Sequence, residues 1–192
     1  MTEKKKQGKK SEKKIRKEIA IPVDVEVHID GETLKMKKQE VILTRVIHPL
    51  IKISVEGNAI ILTTKKNRKI ERRLIGTFAA HIKNMFLGFH EPFKYRLQVV
   101  NVHFPMTVSH DKEKKEIVVK NFLGEKKDRR IALIDGVVVK VNKDIIEIES
   151  VDIEKAGQIA TRIEKGAHVR NKDRRVYQDG IFIIEKPGRS YL

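Results

Sequence analysis

From Ile21 onward apolar residues alternate with polar ones, Val23, Val25, Val27 and Ile29 being separated by Asp24, Glu26 and His28. Period two predicts a half-buried strand, closed by the turn dipeptide Asp30-Gly31. Leu34 and Met36 resume the alternation, and Val41 with Leu43, then Ile51, Ile53 and Val55, continue it. Glu56-Gly57-Asn58 turns the chain into a further strand over 59–63. The period then changes. Leu74, Ile75, Phe78, Ala79, Ile82, Met85 and Phe86 recur at helical spacing, and Gly88 stands where helices commonly stop.

The second half repeats this order. Residues 95–104 alternate as a long strand, 116–122 and 130–134 read as strands, and Asp135-Gly136 turns into a strand over 137–141. Asn142-Lys143-Asp144 turns again into 145–149. Ser150 or Asp152 can cap a helix whose apolar stripe is Ile153, Ala156, Ile159, Ala160 and Ile163, ended by Gly166. Gly76 and Gly157 hold matching places on the two helices. A duplication explains the correspondence economically: an α+β chain of two tandem units, each a small, mainly antiparallel sheet covered by one helix. Pro92 marks the boundary, following the first helix and preceding the strand that opens the second unit. The chain thus reads as an arm over 1–18, units over 19–92 and 93–166, and a C-terminal segment over 167–192.

Charge says what such units are for. Forty-two Lys and Arg (42) against 26 Asp and Glu give a net +16 and a pI near 9.9. Such a field draws a protein to polyanions and repels itself when none is present. Residues 1–18 carry 9 Lys or Arg, 3 Glu and one aliphatic residue beyond the initiator Met, Ile15. This arm cannot bury itself, and is expected to order only when RNA or a neighbour takes up its charge. The absence of Cys removes disulfides, thiolate chemistry and Cys-ligated zinc. No apolar run approaches the roughly 18–20 residues of a membrane span, so no membrane partner is expected.

Two stretches carry candidate chemistry. After Gly166, the cations Arg170, Lys172, Arg174, Arg175, Lys186 and Arg189 interleave with Tyr177, Phe182 and Tyr191. That arrangement pairs phosphate contact with packing on base or sugar. Lys65, Lys66, Arg68, Lys69, Arg72 and Arg73 crowd the start of the first helix, where they oppose its dipole and repel one another. An anionic partner, RNA or protein, would relieve them. No phosphate-cradling, dinucleotide-binding, nucleophile-elbow or zinc-protease motif occurs, and the 7 His suggest neither a triad nor a metal set. The reading is therefore non-enzymatic, with no cofactor, no metal and no small-molecule substrate. An RNA-directed enzyme and a free-standing RNA-binding or assembly factor are the alternatives.

Three segments are familiar. The stretch KDRRVYQDGIFI at 172–183, the stretch NFLGEKKDRR at 121–130, and Ile21-Pro22 with Val25, Val27 and the later His48-Pro49 resemble the archaeal and eukaryotic branch of the universal ribosomal protein L-six family. The resemblance runs from about Ile21 to Pro187. It implies two similar non-catalytic domains, in the cytoplasm, on the large ribosomal subunit. It also implies binding to large-subunit rRNA through the second domain and the C-terminal segment, near the factor-binding region and the proteins of the acidic stalk base. Carried over, the RNA-contacting residues are Arg170, Lys172, Arg174, Arg175, Tyr177 and Gln178, with Asp179 and Gly180 shaping a turn. Lys186 and Arg189 extend this set, and Lys65 to Arg73 would make a second contact with rRNA or protein. The chain departs from the family where Met36-Lys37-Lys38-Gln39-Glu40 replaces a Gly-Pro-x-Gly stretch.

Overall fold

Alternating Ile and Val produce strands in both halves of the structure, a computed structural model that describes residues 15–191. It divides into two units, Met1–Phe86 and Leu87–Leu192. The first contains β1 (Arg16–Ala20), β2 (Glu26–Asp30), β3 (Thr33–Lys38), β4 (Val41–Val46), β5 (Ile51–Glu56), β6 (Ala59–Thr64) and most of α1 (Lys69–His90). Strands β2, β3 and β4 form an antiparallel meander, and β6 lies between β1 and β5 in a second antiparallel sheet. As the central strand of that sheet, β6 buries Ile60, Ile61 and Leu62 together, so both its faces are covered. On β3, Leu34 and Met36 are fully buried and alternate with exposed lysines, as period two requires. At the β3–β4 turn, where the Gly-Pro-x-Gly stretch is replaced, Gln39 takes a left-handed φ of 53°.

Several expectations for this unit need correction. The strand expected from Ile21 is broken, because Pro22 has no N–H to donate and the Val25 N–H turns back to the Pro22 carbonyl at 3.2 Å. Val23 consequently stands 93% exposed. Residues 16–18, expected in a free arm, are the start of β1: Arg16, Lys17 and Glu18 pair with Thr63, Leu62 and Ile61, and Ile19 anchors the strand in the core. The rest of the arm, residues 1–14, lies outside the described residues. Gly88 does not end α1, which continues to His90 and stops before Pro92. Its lack of a side chain has another cause: a Cβ there would meet the Val151 carbonyl oxygen at 2.0 Å.

The second unit contains β7 (Phe93–Val100), β8 (Thr107–Asp111), β9 (Glu116–Lys120), β10 (Arg129–Ala132), β11 (Val138–Asn142), β12 (Ile145–Ser150), α2 (Ile153–Gly166), β13 (Gly180–Lys186) and β14 (Arg189–Ser190). A meander β10-β9-β8 accompanies a five-stranded sheet ordered β11-β12-β7-β13-β14. Helix α2 starts at Asp152, whose carboxylate accepts the Glu154 N–H at 2.9 Å. The helix lays Ala156, Ile159, Ala160 and Ile163 over β7, β12 and β13, against Leu97, Ile146 and Ile148, all fully buried. Each large aliphatic side chain removed from water here contributes about 1.5–3 kcal/mol.

Side by side, the units share a plan. The order β1-β6-β5 with meander β2-β3-β4 in one matches β7-β12-β11 with meander β8-β9-β10 in the other. The α+β architecture is as expected, but each unit has two sheets rather than one. Residues of the C-terminal segment are also part of a sheet, since β13 adds to the free side of β7. Strand β7 ends at Val100 rather than continuing to 104, and β9 ends at Lys120 because Asn121 and Leu123 adopt left-handed φ values of 56° and 50° around the buried Phe122.

Candidate nucleic-acid interface

The segment between α2 and β13 is held at its start by buried apolar side chains and at its end by the buried Asp179, and displays cations between them. Ala167 and Val169 are buried as the helix ends, whereas Arg170, Lys172, Arg174 and Arg175 are exposed. Asn171, between the first two, takes a left-handed φ of 56°. Asp173 then makes the turn: its carbonyl accepts the N–H groups of Val176 and Tyr177 at 3.1 and 2.9 Å. Its carboxylate accepts the Arg175 N–H at 3.0 Å and the Arg175 guanidinium, also at 3.0 Å. That guanidinium holds the Asp173 carboxyl below the usual carboxylate range. The expected turn at Asp179-Gly180 is therefore three to six residues earlier, because Asp173 and not Asp179 bonds to the following backbone.

Asp179 serves a longer-range purpose. It is 3% exposed, and its Oδ1 accepts the backbone N–H groups of Val102 at 2.8 Å and His103 at 3.0 Å. Its Oδ2 lies 2.6 Å from the His103 ring Nδ1. Burial by itself would raise this carboxyl's pKa, but the bonds from the His103 backbone and ring, the Val102 N–H and the His103 charge together hold it below the ordinary range. The loop after β7 is thereby fastened to the start of β13. His103 in turn lies against Tyr177, with ring centroids 5.0 Å apart, and the Lys172 ammonium sits 4.3 Å from the same ring's centre. Gly180 opens β13 without a left-handed φ. It is bare because a Cβ would come within 3.1 Å of the Phe182 ring and 3.2 Å of the Ala167 carbonyl.

Arg129 fastens the other end. Its Nη1 donates at 3.0 Å to the carbonyl of Gly166, an oxygen that the end of α2 leaves free, and at 2.9 Å to that of His168 just beyond the helix. The same guanidinium donates to both oxygens of Glu125 and lies 3.8 Å over the Phe122 ring. Hydrogen bonding from Arg129, working against partial burial, depresses the Glu125 carboxyl. The stretch NFLGEKKDRR is thus a brace: Asn121 ties to the Pro105 carbonyl, Phe122 fills the core, and Arg129 grips the point at which the basic segment departs.

The structure brings Arg170, Lys172, Arg174, Arg175, Tyr177 and Gln178 into one short segment, and among the described residues none of Arg170, Lys172 or Arg174 forms an ion pair. Arg175 is engaged by Asp173, and Gln178 donates to the Arg175 carbonyl at 3.3 Å. Lys186 and Arg189 are not part of this cluster. They lie at the opposite end of β13, roughly 20 Å away at about 3.3 Å per residue, both beside the Tyr191 ring. Lys65, Lys66, Arg68, Lys69, Arg72 and Arg73 belong to the other unit and are all exposed. None of these six has an ion pair among the described residues, but Glu71, 6% exposed, accepts the Arg68 N–H at 2.8 Å and supplies a carboxylate within the helix's first turn. Sequence reasoning missed His103 and Arg129. Nothing near His103 in the chain signals its pairing with a residue 76 positions on, whereas NFLGEKKDRR was visible as a motif without its mechanical meaning.

Residues 21–92 match the family described as Ribosomal protein L6. Over 90% of its length the chain is 38% identical to the large ribosomal subunit protein uL6 of Desulfurococcus amylolyticus, of which the match covers 95%. It belongs to the ribosomal protein L6 family. The uL6 proteins of Methanococcus vannielii and Nanoarchaeum equitans are 36% and 44% identical, covering 91% and 93% of this chain and 96% of each relative. The L6 family consists of ribosomal proteins and not of enzymes. Because these alignments extend across both units, the L6 assignment takes in the Arg129 brace and the basic segment as well as the first unit.

Proposed function

We propose that this protein is a structural constituent of the large ribosomal subunit in the cytoplasm, and that it binds large-subunit rRNA through residues 170–178. The observation that carries this reading is a cationic segment already in shape before any ligand arrives. Arg170, Lys172 and Arg174 face solvent, and the backbone beneath them is held by Val169, Asp173, Asp179 and Arg129. A segment so held loses little conformational entropy on binding, and guanidinium groups suit phosphate oxygens. The names of the relatives, which place those proteins in the large subunit, support the same conclusion. By family resemblance the site is near the factor-binding region, with stalk-base proteins as neighbours. The basic cluster at Lys65 to Arg73 is a second contact for rRNA or protein, and Lys186 with Arg189 a third.

Co-sedimentation with large subunits after a high-salt wash tests this reading. A structural constituent remains with the subunit, whereas a loosely held assembly factor is released. Release of all the protein under conditions that leave other subunit proteins bound contradicts it.

A further inference from the structure

The basic segment borders a cleft that phosphate contacts alone do not explain. It occupies about 630 Å³ between the C-terminal end of α2 and the start of β13, within the roughly 300–1,000 Å³ usual for small-molecule pockets. Val100, Val169, Ile181 and Phe182 make its apolar walls, and Lys165 and Arg174 stand at its rim. Two carboxylates also line it, but both already accept backbone N–H groups: Asp179 from Val102 and His103, and Glu164 from Ile183 at 3.3 Å. The rim cations are therefore open to an external anion, since neither Lys165 nor Arg174 has an ion pair among the described residues. The Phe182 ring, whose edge approaches bare Gly180, supplies the aromatic part of the lining.

A paired A-form duplex offers phosphates and hydroxyls to a protein surface but nothing apolar to fill such a hollow. An unstacked nucleotide offers both an aromatic face and an adjoining phosphate. We propose that this cleft receives a single unpaired base of the RNA, packed against Phe182, with its phosphate on Arg174 and Lys165. The proposal rests on the RNA-binding reading and makes it more specific: the target is a bulge or loop, not a continuous duplex.

The test uses the full chain and synthetic RNA hairpins of one stem sequence, either fully paired, with one bulged nucleotide, or with an abasic bulge. Stacking of the base should make the bulged hairpin roughly 5- to 150-fold tighter than the abasic one. Phe182→Leu keeps apolar bulk and should remove most of that ratio while the thermal midpoint stays near that of the parent. Ultraviolet crosslinking of the bulged complex should join the unpaired nucleotide to a peptide containing residues 177–182. Equal affinity for all three hairpins, or a ratio unchanged by Phe182→Leu in a folded protein, overturns the cleft while leaving RNA binding intact. Failure to bind any hairpin or refolded large-subunit rRNA overturns both readings.

Discussion

The two units of this chain share one topology, to which the second adds two strands, β13 and β14. In the first, β1 flanks β6 and has no further strand beside it among the described residues; in the second, the corresponding β7 has β13 on its other side. That addition changes what the unit can do. To reach the free side of β7 after α2, the chain must cross the end of the sheet, and the crossing is the basic segment at 170–178. The first unit carries a comparable number of cations at Lys65 to Arg73, around the start of a helix that Glu71 caps by accepting the Arg68 N–H. Cations on a solvated helix start attract any polyanion. Those on a braced crossing beside an apolar hollow can also select its shape.

The comparison breaks most sharply at β13. Ending the chain after Asp179 should abolish cooperative unfolding of residues 87–179, because β7 loses its neighbour and α2 part of its cover. Amide exchange of the first unit's β6 should remain slow. Loss of protection in both units alike would show that their stabilities are not separate.

Asp179→Asn is the next largest. It keeps the shape but loses the charge behind three hydrogen bonds, so denaturant unfolding should report a loss of about 2–3 kcal/mol at neutral pH. The sign of the pH dependence follows from the lowered folded pKa. This stabilisation is complete above the unfolded carboxyl value, about 4, and disappears as pH falls through the lower folded value. The gap between parent and Asp179→Asn should therefore close only below about pH 4. A gap that is constant down to pH 2 would contradict the role given to the ionised carboxylate.

Arg129→Ala should cost about 1–2 kcal/mol in the same assay, since the Gly166 and His168 carbonyls and Glu125 lose their donor. RNA affinity should fall with it, as the segment is released at one end. An unchanged midpoint would reduce the brace to a surface pairing.

Arg174→Ala should have the smallest effect on the fold, within about 0.5 kcal/mol, while lowering the slope of log affinity against log salt by about 1. Changing Arg174 and Arg175 together should weaken binding to large-subunit rRNA more than deleting residues 1–14. If the deletion proves more damaging while the double variant is folded and binds normally, the preference for a braced segment over a more highly charged arm is mistaken.

The alternation of Ile and Val and the two helical stripes were enough to read the repeated order of strands, turns and helices, because apolar spacing reflects directly which face of an element leaves water. Charge interleaved with aromatics located the cations of 170–175, and the family resemblance picked out the stretch NFLGEKKDRR. Local pattern misread the places where long-range contacts overrule it. Val23 alternates correctly yet is exposed, because Pro22 starts a turn. Arg16 to Glu18 look like a tail yet pair with β6, which is distant in the chain. Asp179-Gly180 looks like a turn dipeptide, but Asp179 bonds to residues 76 and 77 positions away and Gly180 makes room for Phe182 and Ala167. Sequence alone determined the strands and helices that apolar spacing marks and the sign of the surface charge, all of which depend on neighbours along the chain. Only the tertiary structure decided which cations stand on a rigid frame and which carboxylates are already engaged, because hydrogen bonds and close approaches depend on distance in space, to which spacing along the chain gives no guide.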